Sequence, residues 1–178
     1  MSYSVNRKLE TFAPMQMTVE KTWKIPNRIE ALADVAKEVF EWLSDFPLSS
    51  RAKYSTGLAI EEVVTNIIKY GYDDGSEHLV GIRISVDRDH LTLVFEDDGH
   101  EFDPTKRPAP DIEKIVNSQK AGGLGIELVR RMCDKVTYER HGGLNRLTLH
   151  IRRLQPDDTQ FISLSELPPP PPRKKCHP

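Results

Sequence analysis

The hydrophobic positions change period along the chain, and each change marks an element. VEKTWKI, from Val19 to Ile25, alternates: Val19, Lys21, Trp23 and Ile25 share one face, and Lys21 within the apolar set predicts an edge strand. Pro26-Asn27 stops it, and Asn27 with Glu30 three residues on has the spacing of a capping box. Ile29, Leu32, Val35, Ala36, Val39, Phe40 and Leu43 then follow the helical period up to Asp45-Phe46-Pro47. A second helix is expected from Ser50 to Gly71, closed by Gly71 and the turn residues Asp73-Asp74-Gly75. Leu79–Val86 and Leu91–Asp97 read as strands of a hairpin. An irregular, proline-rich and charged stretch follows, with room for a short helix at DIEKIVN. A third main helix spans Gly123–Asp134, and KVTYER and NRLTLHI form a last hairpin around His141-Gly142-Gly143.

Strands joined by hairpins imply a mostly antiparallel mixed sheet. With three helices on one face, the fold class is α+β, a two-layer α/β sandwich. Strict βαβ alternation is absent, which excludes a doubly wound dinucleotide fold. The expected organisation is an N-terminal arm at 1–18, one domain at 19–154, and a flexible tail at 155–178 that holds five consecutive prolines.

Composition narrows the function classes. The chain has 178 residues, 38% hydrophobic and 29% charged, with a net charge of -2. That balance gives no broad attraction to nucleic acid or to anionic membranes. No apolar run is long enough to span a bilayer, and MSYSVNRKLE has no signal-peptide core. Cys133 and Cys176 make neither a disulfide framework nor a zinc spacing, so a reducing cytoplasm is the expected compartment.

Three segments carry candidate chemistry. In EEVVTNIIKYGY, Glu62, Asn66 and Tyr70 stack at four-residue spacing with Lys69 beside them. A carboxylate, a neutral amide and an ammonium on one stripe suit a general base, a Mg²⁺ ligand and a phosphate contact; the ordinary counterpart is a solvated helix face. EDDGHEFDP brings acidic residues to a strand end ahead of Gly99, as a base-reading carboxylate requires or as a plain acidic turn would. AGGLGIELVRRMCDKV opens a helix with glycines 122, 123 and 125, either an anion-binding N-terminus or a flexible linker. It is neither a Walker loop nor GxGxxG after a strand.

Taken in this order, the three segments resemble the nucleotide site of the GHKL (Bergerat-fold) ATPase superfamily. The short form looks most like its stand-alone anti-sigma-factor serine/threonine kinases, over roughly residues 19–153. The resemblance implies a histidine-kinase-like ATPase domain that binds ATP and Mg²⁺. It makes Glu62 the general base and Asn66 the Mg²⁺ ligand, with Lys69 at the phosphates. Glu61 is excluded because it turns away from the Asn66 face. Asp97 matches the adenine-reading aspartate, with Gly99 two residues on; Gly123, Leu124 and Gly125 match the second glycine box; Thr148 is the loose match to a hydroxyl near adenine. Residues 105–122 become an ATP lid.

One departure stands out. Relatives often carry arginine just before the glycine box, where this chain has Ala121, with Lys120 one place earlier. Lysine offers a point charge without arginine's fork. The implied substrate is a serine or threonine on a STAS-domain anti-anti-sigma protein, with a sigma factor as alternative partner and a homodimer as assembly. No direct nucleic-acid or membrane contact is expected. The alternative is an ATP-binding regulatory module that binds a partner without phosphoryl transfer.

Overall fold

The computed structural model describes residues 18–106 and 124–154. The expected arm up to residue 17, most of the lid with its short helix, Lys120, Gly123 and the proline tail lie outside the described residues.

Five strands form one sheet: β1 (Val19–Pro26), β2 (Leu79–Val86), β3 (His90–Asp97), β4 (Lys135–His141) and β5 (Leu144–Arg152), in the order β1-β2-β3-β5-β4. Every described pairing is antiparallel. β1 is an edge strand, as Lys21 predicts. The β2–β3 turn is held by Asp87, whose Oδ1 accepts from the backbone N–H of Asp89 and His90. At the other hairpin Gly142 and Gly143 have φ of +58° and +86°, a pair that glycine adopts without strain and that matches the strand twist.

The helices are α1 (Glu30–Leu43), α2 (Ser50–Tyr70) and α3 (Gly125–Met132). Period-2 burial along the strands sends Val80, Ile82, Ile84, Leu91, Leu93, Phe95, Leu149 and Ile151 to one face, where they meet Val35, Val39, Leu43, Ala59, Ile60, Val63 and Val64. That face is the core, and the opposite face of the sheet carries the polar alternates.

Two details differ from the sequence reading. Asn27 caps no helix: its Oδ1 accepts from the His78 N–H at 3.1 Å, and its own N–H donates to the His78 carbonyl at 3.0 Å. The chain leaving β1 lies beside the chain entering β2, and those strand-end groups need partners more than α1 needs a cap. α2 instead has the side-chain cap, with the Ser49 hydroxyl accepting from the Ala52 N–H at 3.1 Å. Gly71 ends α2 at φ -77°, without the left-handed turn that glycine usually supplies there.

Candidate active site

A cavity of about 760 Å³ opens between α2, α3 and the ends of β3, β4 and β5. Its size suits a nucleotide-sized ligand. α2 lines it with Glu62, Asn66, Ile67, Lys69 and Tyr70. The polar stripe of that helix is therefore a cavity wall. Glu62 and Asn66 are half-buried, whereas Lys69 and Tyr70 are exposed. Glu61, expected to turn away, also borders the cavity, but as an exposed residue. At about 100° per residue Glu62 stands roughly 40° from Asn66 and Glu61 roughly 140° from it, so helix phase already puts Glu62 on the stripe and Glu61 at its margin. Packing separates them further. The Glu62 carboxylate rests directly against Gly125 at the start of α3, where a Cβ would overlap it. Leu124, just before, is exposed and does not line the cavity among the described residues.

β3 delivers Asp97 to the cavity nearly buried, at 7% exposure. Burial pushes its carboxyl above the usual carboxylate range, and the hydrogen bonds from Asn145 and Gly99 pull the other way. Among the described residues both bonds fall on Oδ1, from the Gly99 N–H at 3.0 Å and Asn145 Nδ2 at 2.8 Å. Oδ2 is left to meet a ligand. Gly99 is buried and holds the turn behind the site; it does not line the cavity.

Thr148 belongs elsewhere. It pairs with Val94 and Thr137, while the adjacent Leu147 and Leu149 point into the core. Alternation puts its hydroxyl on the open face of the sheet, away from the cavity. The residue of β5 that reaches Asp97 is Asn145, directly opposite it in register. Sequence reasoning passed over it, although its even spacing from Leu147, Leu149 and Ile151 places it on the buried phase. Arg130 of α3 was also missed; it lines the cavity and pairs with Glu127 at 3.3 Å.

No Mg²⁺-ready cluster of three acidic, histidine or cysteine side chains exists among the described residues. A Mg²⁺ ion bound together with a nucleotide needs only one or two protein oxygens. The Asn66 amide oxygen on the cavity wall is a suitable donor of that kind.

Comparisons with known proteins identify the family. Residues 25–151 match the family model described as the histidine kinase-like ATPase domain. The serine/threonine-protein kinase BtrW of Bordetella bronchiseptica is 26% identical over 125 residues, covering 68% of this chain and 88% of BtrW. The serine-protein kinase RsbW of Staphylococcus aureus is 27% identical over 104 residues, covering 55% of this chain and 65% of RsbW. A crystal structure of the RsbU and RsbW domains of Rv1364c from Mycobacterium tuberculosis superimposes with a TM-score of 0.53 at 17% identity. It covers 76% of this chain and 33% of that one, and it speaks to the fold alone. With the family model spanning most of the domain, the chain belongs to the histidine kinase-like ATPase domain family, and relatives it matches there are named serine/threonine-protein kinases.

Proposed function

We propose that this chain is an ATP-dependent serine/threonine protein kinase of the anti-sigma-factor type, acting on a STAS-domain antagonist. The observation that carries the reading is the seat of Glu62. Its carboxylate lies in the cavity against the backbone that opens α3, one turn from Asn66. A general base belongs where the acceptor hydroxyl meets the terminal phosphate, and helix N-termini are where phosphates bind.

In this reading Asp97 Oδ2 accepts from the adenine amino group. Asn66 would hold Mg²⁺, whose contribution is to neutralise phosphate charge. Lys69 offers an ammonium to the phosphates, and Gly125 with Leu124 and Gly123 supplies backbone donors. Glu62 takes the proton from the substrate serine or threonine hydroxyl as its oxygen attacks the γ-phosphorus. The bond to the β,γ-bridging oxygen breaks and ADP leaves. The phosphate gained by the STAS protein adds roughly -1.5 to -2 charges, enough to break an interface and shift a sigma factor between partners. A cytoplasmic homodimer is part of the same proposal. Among the described residues no helix is long and apolar enough to cross a membrane.

One observation favours the non-catalytic alternative: Ala121 and Lys120 stand where relatives often have arginine. Labelled ATP incubated with the chain and a matching STAS protein decides between them. Label on a serine or threonine of that protein, lost in Glu62→Ala, is the expected result. Tight ATP binding without transferred label overturns the kinase and leaves the binding module.

A further inference from the structure

We propose that Asn145 is a positioning residue for base recognition, locking the Asp97 carboxylate so that a single oxygen faces the 6-amino group of a purine. The inference rests on the nucleotide reading of the cavity and deepens it.

Asn145 lines the cavity beside Asp97 and is the polar hub of that end of the site. It is 5% exposed and makes five hydrogen bonds among the described residues. Tyr138 Oη donates to its Oδ1 at 2.7 Å, and Arg140 Nη1 donates to the same oxygen. Its Nδ2 donates to Asp97 Oδ1 at 2.8 Å, to the His100 carbonyl at 2.9 Å and more weakly to the Gly99 carbonyl at 3.3 Å.

These partners fix which end of the amide points where. Guanidinium only donates, so the end beside Arg140 is the oxygen. Backbone carbonyls only accept, so the end beside Gly99 and His100 is the nitrogen. Rotating the amide would break bonds on both sides at once. Asp97 therefore always meets an N–H from Asn145. With the Gly99 N–H on the same Oδ1, that oxygen is held by two donors, and Oδ2 is the oxygen of this cavity-lining carboxylate left for the base.

The pin has an electrostatic side as well. Burial favours a neutral Asp97, and the Asn145 N–H favours the ionised, purely accepting form. An accepting oxygen selects a 6-amino group and rejects a 6-carbonyl. Asn145 never needs to touch the nucleotide to enforce that choice.

The test measures dissociation constants of ATP and of purine riboside triphosphate, which lacks the 6-amino group, by calorimetry on the full chain. The wild type should prefer ATP. Asn145→Ala should cut that preference by about tenfold or more while binding of the analogue changes little. Tyr138→Phe keeps the amide but removes one of its anchoring donors, and should cut the preference by about threefold. Melting curves report the fold of each variant, and Tyr138→Phe decides the matter should Asn145→Ala not fold. An unchanged preference, or equal loss for both nucleotides, reduces Asn145 to a structural residue and overturns the proposal. Equal wild-type affinity for the two nucleotides also overturns it, while the ATP-site reading survives. A wild type that binds neither overturns the ATP-site reading itself.

Discussion

Gly99 and Gly71 lie back to back: a Cβ built on Gly99 would sit 2.5 Å from the Gly71 carbonyl oxygen. The same carbonyl accepts from the His100 N–H at 2.7 Å. The end of the helix that carries Glu62 and Asn66 is thereby joined, backbone to backbone, to the turn that carries Asp97. Two segments of the candidate site are thus one rigid piece, and Gly99 is required for close approach while Gly71 is the surface it approaches.

Gly99→Ala should accordingly damage both fold and binding. The nearest obstruction, the Gly71 carbonyl, is backbone and cannot swing aside, and Asp97 Oδ1 would lie 2.9 Å from the added methyl, so a loss of about 1–3 kcal/mol of stability is expected. A lowered melting temperature together with weakened ATP affinity would bear this out. A variant as stable as wild type would show that the two segments are not coupled.

Glu62→Gln should separate binding from chemistry. The amide keeps the shape beside Gly125 but cannot take a proton. ATP affinity should hold within about threefold while phosphoryl transfer falls by roughly 10²–10⁴-fold. Asn66→Ala should do the reverse to the ion, removing most of the Mg²⁺ dependence of ATP binding. Titrations with and without Mg²⁺ and a single-turnover transfer assay measure both.

His78 provides a pH prediction. Its Nε2 meets Asp74 Oδ1 and its Nδ1 meets Asp98 Oδ1, each at 3.0 Å, and its ring stacks on Tyr72 with centroids 4.0 Å apart. The bonds to Asp74 and then Asp98 raise the imidazole above its ordinary value. The His78 bond holds Asp74 below the usual carboxylate range. Burial pushes Asp98 up, but the bond to His78, the imidazole charge and the bond to Tyr72 together take it below that range too. A raised histidine contributes stability in full below about pH 6.5, the unfolded value, and loses it as pH climbs through the folded one. The lowered carboxylates contribute above about pH 3.9 and lose it as pH falls through their folded values. The stability difference between wild type and Asp98→Asn should therefore be largest between those limits and shrink above them. An NMR titration placing His78 at or below the ordinary histidine value would refute the clamp.

Thr148→Ala should leave ATP affinity unchanged within about twofold, because its hydroxyl lies on the far face of the sheet. A tenfold loss would place the Thr148 hydroxyl at the nucleotide and refute this assignment.

Much of this is legible in the sequence. The alternation of Val19–Ile25, the helical period of Ser50–Tyr70 and the glycine pair of the last hairpin each specify their own element, because side-chain phase and turn conformation are local properties. The order of the three motif segments pointed to the family for the same reason: each motif needs its residues at fixed spacing along one element.

What spacing could not supply was which residues meet across elements. Helix phase set Glu62 rather than Glu61 on the Asn66 stripe, but only the packing of α3 against α2 brings its carboxylate to Gly125. Thr148 looked suitable by type, yet pairing with Val94 turned it to the wrong face and made Asn145 the residue opposite Asp97. Asn27 looked like a cap until β2 arrived beside it. The local period of the chain decides an element and its faces; which of those faces closes on which is a matter of long-range packing and register, and a one-residue difference in register reverses the answer.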